Sequence, residues 1–324
     1  MDFYRLLSRS LQGAILLTLI CAVVWFWPFF SGTTLGDIPF VWHNVTLFSL
    51  PYWIATSLQF AIFVVIAVAG QRLTEVSFVA PVQTYVFYGM MMCLALTMGE
   101  MKVFTVDTVA FALVYLATNQ LFRIQTFGRP AAKLLNITMS LVLAACIDPL
   151  FALLLPLYFI ALIMMRQMNL RAFVTILFAL VGCGAVIVGV VYLLDLQLNT
   201  EALTLDWQPI NIHTIVDALS KHIWLAILLI ISFVVIFLHQ LYALRYKTQV
   251  RTLHRILSLF CLFCWVLFFL LQNNSLEISY LIVLFSSLLF SSFFSNDEMP
   301  IAHVLYPILI LLSIVKATTG FLGI

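Results

Sequence analysis

The chain has 324 residues, of which 64% are hydrophobic and 9% charged, and its formal net charge is +2. Soluble domains carry roughly 25% charged residues, so this composition excludes a water-soluble globular protein. A charge this small, divided among positions flanking apolar runs, also excludes nucleic acid as a partner.

The apolar runs are long and continuous and lack the strict alternation of barrel strands. Inside hydrocarbon every backbone polar group must be paired within the chain, so these runs predict helices. The expected fold class is all-α, a polytopic transmembrane helical bundle with short loops.

The first run, 11–30, follows Arg5 and Arg9 and ends in Trp-Phe-Trp-Pro-Phe-Phe. Its length of about twenty residues and its aromatic close suit an uncleaved span better than a signal peptide, which places the amino terminus in the cytoplasm. Further spans are expected near 52–70, 76–98, 103–120, 130–147, 150–166, 172–194, 222–244, 256–271, 278–295 and 300–318. With the first they make about eleven, within a range of about 10 to 12, each matched to a hydrocarbon core of roughly 30 Å. The pairs within 130–166 and 256–295 are short, and one of them has the length of a re-entrant hairpin.

Cations fix the phase of this arrangement. Alternate connections carry Arg5 and Arg9, then Arg72, then Arg123, Arg129 and Lys133, then Arg166 and Arg171, then Arg245, Lys247, Arg251 and Arg255, while the other side receives Lys102, Lys221 and Lys316. The positive-inside rule puts the arginine-rich side in the cytoplasm, as in a bacterial inner-membrane protein. The turn from Asn296 to Met299 has two acids and no cation, so the side of the carboxyl terminus rests on the last pair of spans.

Two outer connections are longer than turns, near 31–51 and 195–221. The first holds Asp37, Trp42 and His43 among apolar residues. In the second, Ile212, Ile215, Val216 and Leu219 follow i, i+3, i+4, i+7 spacing, which predicts an interfacial helix over 209–220, with Trp207 and Trp224 at belt depth. Neither connection reaches the roughly 50 residues of a compact domain, so 1–324 reads as a single transmembrane domain.

Ionisable groups within a membrane cost roughly 2.5–3.5 kcal/mol on insertion scales, which makes them the natural site candidates. Asp107 and Asp148 are the candidates for an outer cavity. Each also has a structural reading: Asp107 at a helix start favoured by the macrodipole, and Asp148 as N-cap before Pro149. Asp297 and Glu298 before Pro300 have the same capping pattern. His239 reads as bonded to a neighbouring helix, and the six histidines show no i, i+4 ligand pair, so no metal site is expected. The six cysteines lie in apolar runs and predict no disulfides; Cys261 and Cys264 lack a polar surround, which leaves packing. Met90, Met91 and Met92 read as flexible filler. Ala185 and Gly189, with Gly182 and Gly184 close by, have small-xxx-small spacing that lets another backbone approach. Arg245, Lys247, Arg251 and Arg255 combine topogenic anchoring with a possible contact to anionic lipid.

Four stretches carry a resemblance: Asn119-Gln120-Leu121-Phe122-Arg123; Leu150-Phe151-Ala152-Leu153-Leu154-Leu155-Pro156; Met165-Arg166 to Arg171-Ala172-Phe173; and Phe293-Phe294-Ser295-Asn296. They resemble an uncharacterised family of bacterial polytopic inner-membrane proteins, which implies the membrane fold and no site residues. In architecture the chain is also similar to polyprenyl-phosphate-dependent membrane glycosyltransferases. That likeness implies a carboxylate in the first outer loop as general base or metal ligand, and Asp37 occupies such a loop; a second acid beside it and a sizeable outer domain are lacking.

The leading functional expectation is a non-enzymatic membrane component, in envelope assembly or as a partner subunit, with membrane lipids and other membrane proteins as partners and no cofactor. Lipid-linked sugar transfer on the outer face, with Asp37 as catalytic candidate, is the first alternative. A small-solute or lipid transporter using Asp107 and Asp148 is the second.

Overall fold

The computed structural model describes residues 3–30, 36–42, 45–77, 84–124, 130–193, 223–242, 247–271, 275–295 and 300–322. The expected interfacial helix over 209–220 lies outside the described residues, as does Arg245. The described residues group into two compact units, one of residues 1–36, 52–104 and 207–324 and one of residues 37–51 and 105–206.

The first unit opens with α1 (Phe3–Arg9), α2 (Leu11–Trp25) and α3 (Trp27–Phe30), continues with α4 (Tyr52–Val76), α5 (Val86–Thr97) and a 3₁₀ turn (Gly99–Lys102), and adds the later helices α10 (Ile223–Tyr242), α11 (Thr248–Leu270), α12 (Ser275–Phe294) and α13 (Pro300–Leu322). The second holds a hairpin of β1 (Ile38–Trp42) and β2 (Val45–Leu50), then α6 (Val106–Arg123), α7 (Pro130–Ile147), a 3₁₀ turn (Pro149–Leu153), α8 (Leu154–Met164) and α9 (Leu170–Leu193). Among the described residues seven helices, α4, α7 and α9–α13, are long and apolar enough to cross a membrane.

Several boundaries depart from the hydropathy reading, for local reasons. The first run closes at Trp25, where Phe26 N–H bonds Ala22 O at 2.9 Å. Pro28 then has no N–H to offer the Val24 carbonyl, and the helix cannot continue unbroken. The expected span 76–98 splits differently: α4 takes residues up to Val76, and α5 begins only at Val86, beyond Pro81. In the two short pairs, α11 and α12 reach 23 and 20 residues because polar first turns lengthen them beyond their apolar windows. The short member is α8, with 11 residues after its 3₁₀ turn.

Two helices form the centre of the first unit. Every residue from Val86 to Leu96 in α5 is buried, and 89% of the apolar window of α12 is buried. A helix hydrophobic all round belongs in a core, which is where Met90, Met91 and Met92 sit. α5 packs against α1, α2, α4, α12 and α13. Close approach is built in by two glycines: a Cβ on Gly70 of α4 would run into the Phe87 ring, and one on Gly89 of α5 into the Tyr306 hydroxyl. The serines Ser286, Ser287, Ser291 and Ser292 are buried along α12, and Ser295 just past its end, small residues that allow neighbouring helices near.

At one end of this unit Gln59 donates from Nε2 to the Met101 carbonyl and to the Tyr280 hydroxyl, both at 2.9 Å. Lys102, in the adjoining 3₁₀ turn, is 7% exposed, and desolvation pulls its ammonium down from 10.5 to about 8. Its folded pKa therefore lies below its unfolded one, so the unfolded chain binds more protons between these values, and stability rises as pH climbs from about 8 toward 10.5. Thermal unfolding of the detergent-solubilised protein across that window is expected to show the rise. Lys102→Met is expected to remove that part of the slope, and a superimposable pair of curves would contradict it.

In the second unit α6 and α7 form an antiparallel helical hairpin, α9 packs on α7, and β1 lies against α6. The hairpin gives the expected outer connection at 31–51 a pair of strands within a helical fold. Ile38, Phe40, Val41, Val45, Thr46 and Phe48 are β-branched or aromatic, the residues that suit a pleated half-buried surface. Phe40 pairs with Phe48 and their rings stack at 4.6 Å, with a bulge between Phe40 and Val41.

Candidate functional site

The helical hairpin of the second unit brings two sequence candidates together. α6 starts at Asp107's turn, α7 runs back beside it, and the chain leaves α7 through Asp148, so both acids lie at the same end. Their carboxylate oxygens come within 4.8 Å of one another. Asp107 follows the N-cap Thr105, whose Oγ1 donates to Asp107 Oδ2 at 3.3 Å, while Thr108 Oγ1 accepts from Thr105 N–H at 3.3 Å. Asp148 is 8% exposed and caps the 3₁₀ turn, its Oδ1 accepting from Leu150 N–H at 2.7 Å, with Pro149 at the first helical position.

Each acid thus has the structural role that its sequence context announces, and the two together form something neither would alone. Two carboxylates this close repel by about 3 kcal/mol at an effective dielectric of about 20, and two helix starts offset part of that. Such a pair is relieved by a shared proton or by a cation, the hard oxygen-ligand chemistry of magnesium or calcium.

Asp37, the catalytic candidate, is exposed immediately before β1. Among the described residues it belongs to no group of three or more potential metal ligands. Of the expected lipid-contact cations, Lys247 and Arg255 are exposed and Arg251 is half-buried. They recur at i, i+4 and i+8 along one face at the start of α11, with Arg251 N–H bonded to Lys247 O at 3.0 Å. Cations at a helix amino terminus oppose the macrodipole, so this stripe does not add to helix stability.

His239 is bonded to a neighbouring helix, as its sequence context predicts, but the partners around it are not legible there. His239 of α10 and His254 of α11 are both buried, with ring centroids 4.5 Å apart, and Ser292 of α12 lies 2.8 Å from His239 Nε2. Ser292 Oγ also sits 2.6 Å from the Leu289 carbonyl, which can only accept. The serine's one proton therefore goes to that carbonyl, and His239 Nε2–H donates to Ser292 Oγ, leaving Nδ1 as the unprotonated nitrogen. The two histidines flank the short connection between α10 and α11, and an antiparallel register across it was the signal that could have paired them. Ser292 arrives from a third helix and had none.

No protein family, curated protein or solved structure matches the chain in comparisons with each.

Proposed function

We propose that this is a multi-pass bacterial inner-membrane protein with about eleven spans, a cytoplasmic amino terminus and a non-enzymatic role, in which it serves as the membrane partner of another transmembrane helix. The observation that carries the reading is the uncovered small-residue face of α9. Ala172, Ala179 and Cys183 are the buried positions among the described side chains of this helix, which packs on α7. Gly182, Ala185 and Gly189 fall on a second stripe, roughly a quarter turn away at 100° per residue. Among the described residues, nothing lies within 4 Å of a Cβ placed on Gly182 or Gly189, nor on Gly184 outside the stripe.

A glycine inside a helix costs about 1 kcal/mol relative to alanine, and contact with lipid gives nothing back for it. Close approach of another backbone does, through van der Waals packing and short interhelical contacts. Blue-native electrophoresis of the protein extracted in mild detergent is expected to show an assembly larger than the 36.7 kDa chain. Gly182→Leu combined with Gly189→Leu is expected to reduce it to the monomer without loss of folding, since both side chains enter open space. Unchanged migration of the double variant would contradict the reading.

A second reading, transport of a small cation or of protons, is favoured by the Asp107–Asp148 pair alone. Sugar transfer has the exposed Asp37 and, among the described residues, no group of potential metal ligands converging on it.

A further inference from the structure

A cavity of about 420 Å³ opens in the first unit between α2, α4 and α5, lined by Leu11, Ala14, Ile15 and Thr18 of α2, Val68, Gln71, Arg72 and Glu75 of α4, and Tyr85 and Tyr88 beside or on α5. Its size falls in the range of ordinary ligand pockets, about 300–1,000 Å³. From Leu11 to Thr18, and from Glu75 back to Val68, it runs two helical turns, roughly 10 Å at 1.5 Å per residue. The long axis separates two chemistries. The exposed Arg72 and the half-buried Glu75 and Tyr85 form its polar side, with Gln71 buried beside them; the apolar lining is Leu11, Ala14, Ile15 and Val68, of which Leu11 is 60%, Ile15 52% and Val68 43% exposed.

The polar groups of Thr18, Tyr88 and Gln71 are already committed, which leaves Arg72, one oxygen of Glu75 and the Tyr85 hydroxyl to meet a ligand. Thr18 Oγ1 donates to the Ala14 carbonyl at 2.7 Å, so Tyr88 Oη donates to Thr18 Oγ1 at 2.5 Å, and the floor keeps no spare donor. Gln71 is 5% exposed, and its amide is used in full. Nε2 donates to the Thr84 carbonyl and, at 3.0 Å, to Glu75 Oε1, while Oε1 accepts from Tyr88 N–H at 3.4 Å. The buried amide therefore ties α4 to the start of α5 and fixes one oxygen of Glu75, leaving its other oxygen able to accept. Arg72 is exposed and, among the described residues, pairs with no carboxylate. It stands three residues from Glu75, on the same side of α4, and the two Cβ atoms of such a pair are about 5–6 Å apart.

We propose that this groove is a binding site for a phospholipid with a primary-amine headgroup, the phosphate on Arg72, the ammonium on Glu75 and an acyl chain along Leu11, Ala14, Ile15 and Val68. A guanidinium fork binds phosphate oxygens, and a carboxylate accepts from an ammonium with N–H donors. A purely anionic headgroup would satisfy Arg72 and face the charge of Glu75. A quaternary choline has no N–H to give. Complementarity thus selects the zwitterion with a free amine, and the apolar walls, open on the lipid side, select a bilayer lipid over a soluble phosphate ester.

Native mass spectrometry of the full-length protein with defined lipids tests this, using phosphatidylethanolamine, phosphatidylcholine and phosphatidylglycerol of matched chains and free phosphoethanolamine. Phosphatidylethanolamine is expected to bind about tenfold tighter than the other two lipids, the usual effect of a hydrogen bond to a charged group. Phosphoethanolamine is expected not to compete. Glu75→Gln keeps an acceptor for the Gln71 amide and is expected to abolish the preference over phosphatidylcholine. Arg72→Gln, at an exposed position, is expected to weaken all three lipids about equally. Equal affinities in the wild type, a preference that survives Glu75→Gln, or displacement by phosphoethanolamine would each overturn the assignment.

Discussion

Gly89→Leu is expected to destabilise the protein by about 3 kcal/mol or more, because α5 is enclosed on every side and overpacking a closed core forces neighbours off their positions. The first atom a side chain there would meet is the Tyr306 hydroxyl, followed by a methyl of Leu17 at 3.1 Å. Tyr306 is fully buried, so its ring has nowhere to swing. Its hydroxyl also has no hydrogen-bond partner among the described residues. Removing an unsatisfied buried hydroxyl is neutral or favourable, so Tyr306→Phe alone is expected to hold or raise stability. It should also free the space that Gly89→Ala needs. The two changes are therefore expected to be non-additive by about 0.5–3 kcal/mol, the double variant being more stable than the sum of the singles. Thermal unfolding in detergent of the four proteins in the cycle measures this, and strict additivity would show that Gly89 is not shaped by Tyr306. Gly182→Leu, on the open side of α9, is the control and is expected to leave stability unchanged or slightly raised.

The second large effect concerns Asp148. Asp148→Ala removes the N-cap of the 3₁₀ turn and is expected to cost about 1–2 kcal/mol. Asp148→Asn keeps a capping acceptor and removes a like charge within 4.8 Å of Asp107, so it is expected to match or exceed the wild type in stability. The pair should also confer a response that neither acid gives singly. Millimolar magnesium or calcium is expected to raise the unfolding temperature of the wild type, and to do so less in Asp107→Asn and in Asp148→Asn. An identical cation response in all three would leave the acids as two independent helix starts and remove the support for a cation-handling role.

What the sequence makes legible here follows from the range of the interaction involved. α7 coincides with the expected span 130–147, since its Pro130 start and Asp148-Pro149 stop are local signals. The hairpin at 38–50 was missed because thirteen residues of mixed apolar and polar character in a long outer connection were weighed for membrane depth, not for strand pairing. Asp107 and Asp148 were identified singly from helix-start chemistry. Their convergence follows from two helices of 18 residues each, folded back on each other, and such a register can be read without coordinates once the hairpin is drawn.

The groove was less accessible to that kind of reading. In the sequence Arg72 reads only as a topogenic cation and neither Gln71 nor Glu75 carries a signal, because nothing in a hydropathy profile brings the end of α4 against the starts of α2 and α5. α9 lies between these cases. Its small-xxx-small spacing is plain in the sequence, whereas the observation that matters is that no described residue fills the space over Gly182 and Gly189.

The most direct test of the partner-subunit role is photocrosslinking in native membranes from position 185, between Gly182 and Gly189 of the stripe. A photoreactive residue replacing Ala185 is expected to give a discrete protein adduct that disappears with Gly189→Leu, while the same residue replacing Leu177, on the other flank of α9, labels lipid alone. Lipid adducts alone at both positions would contradict the assignment of this face to another helix.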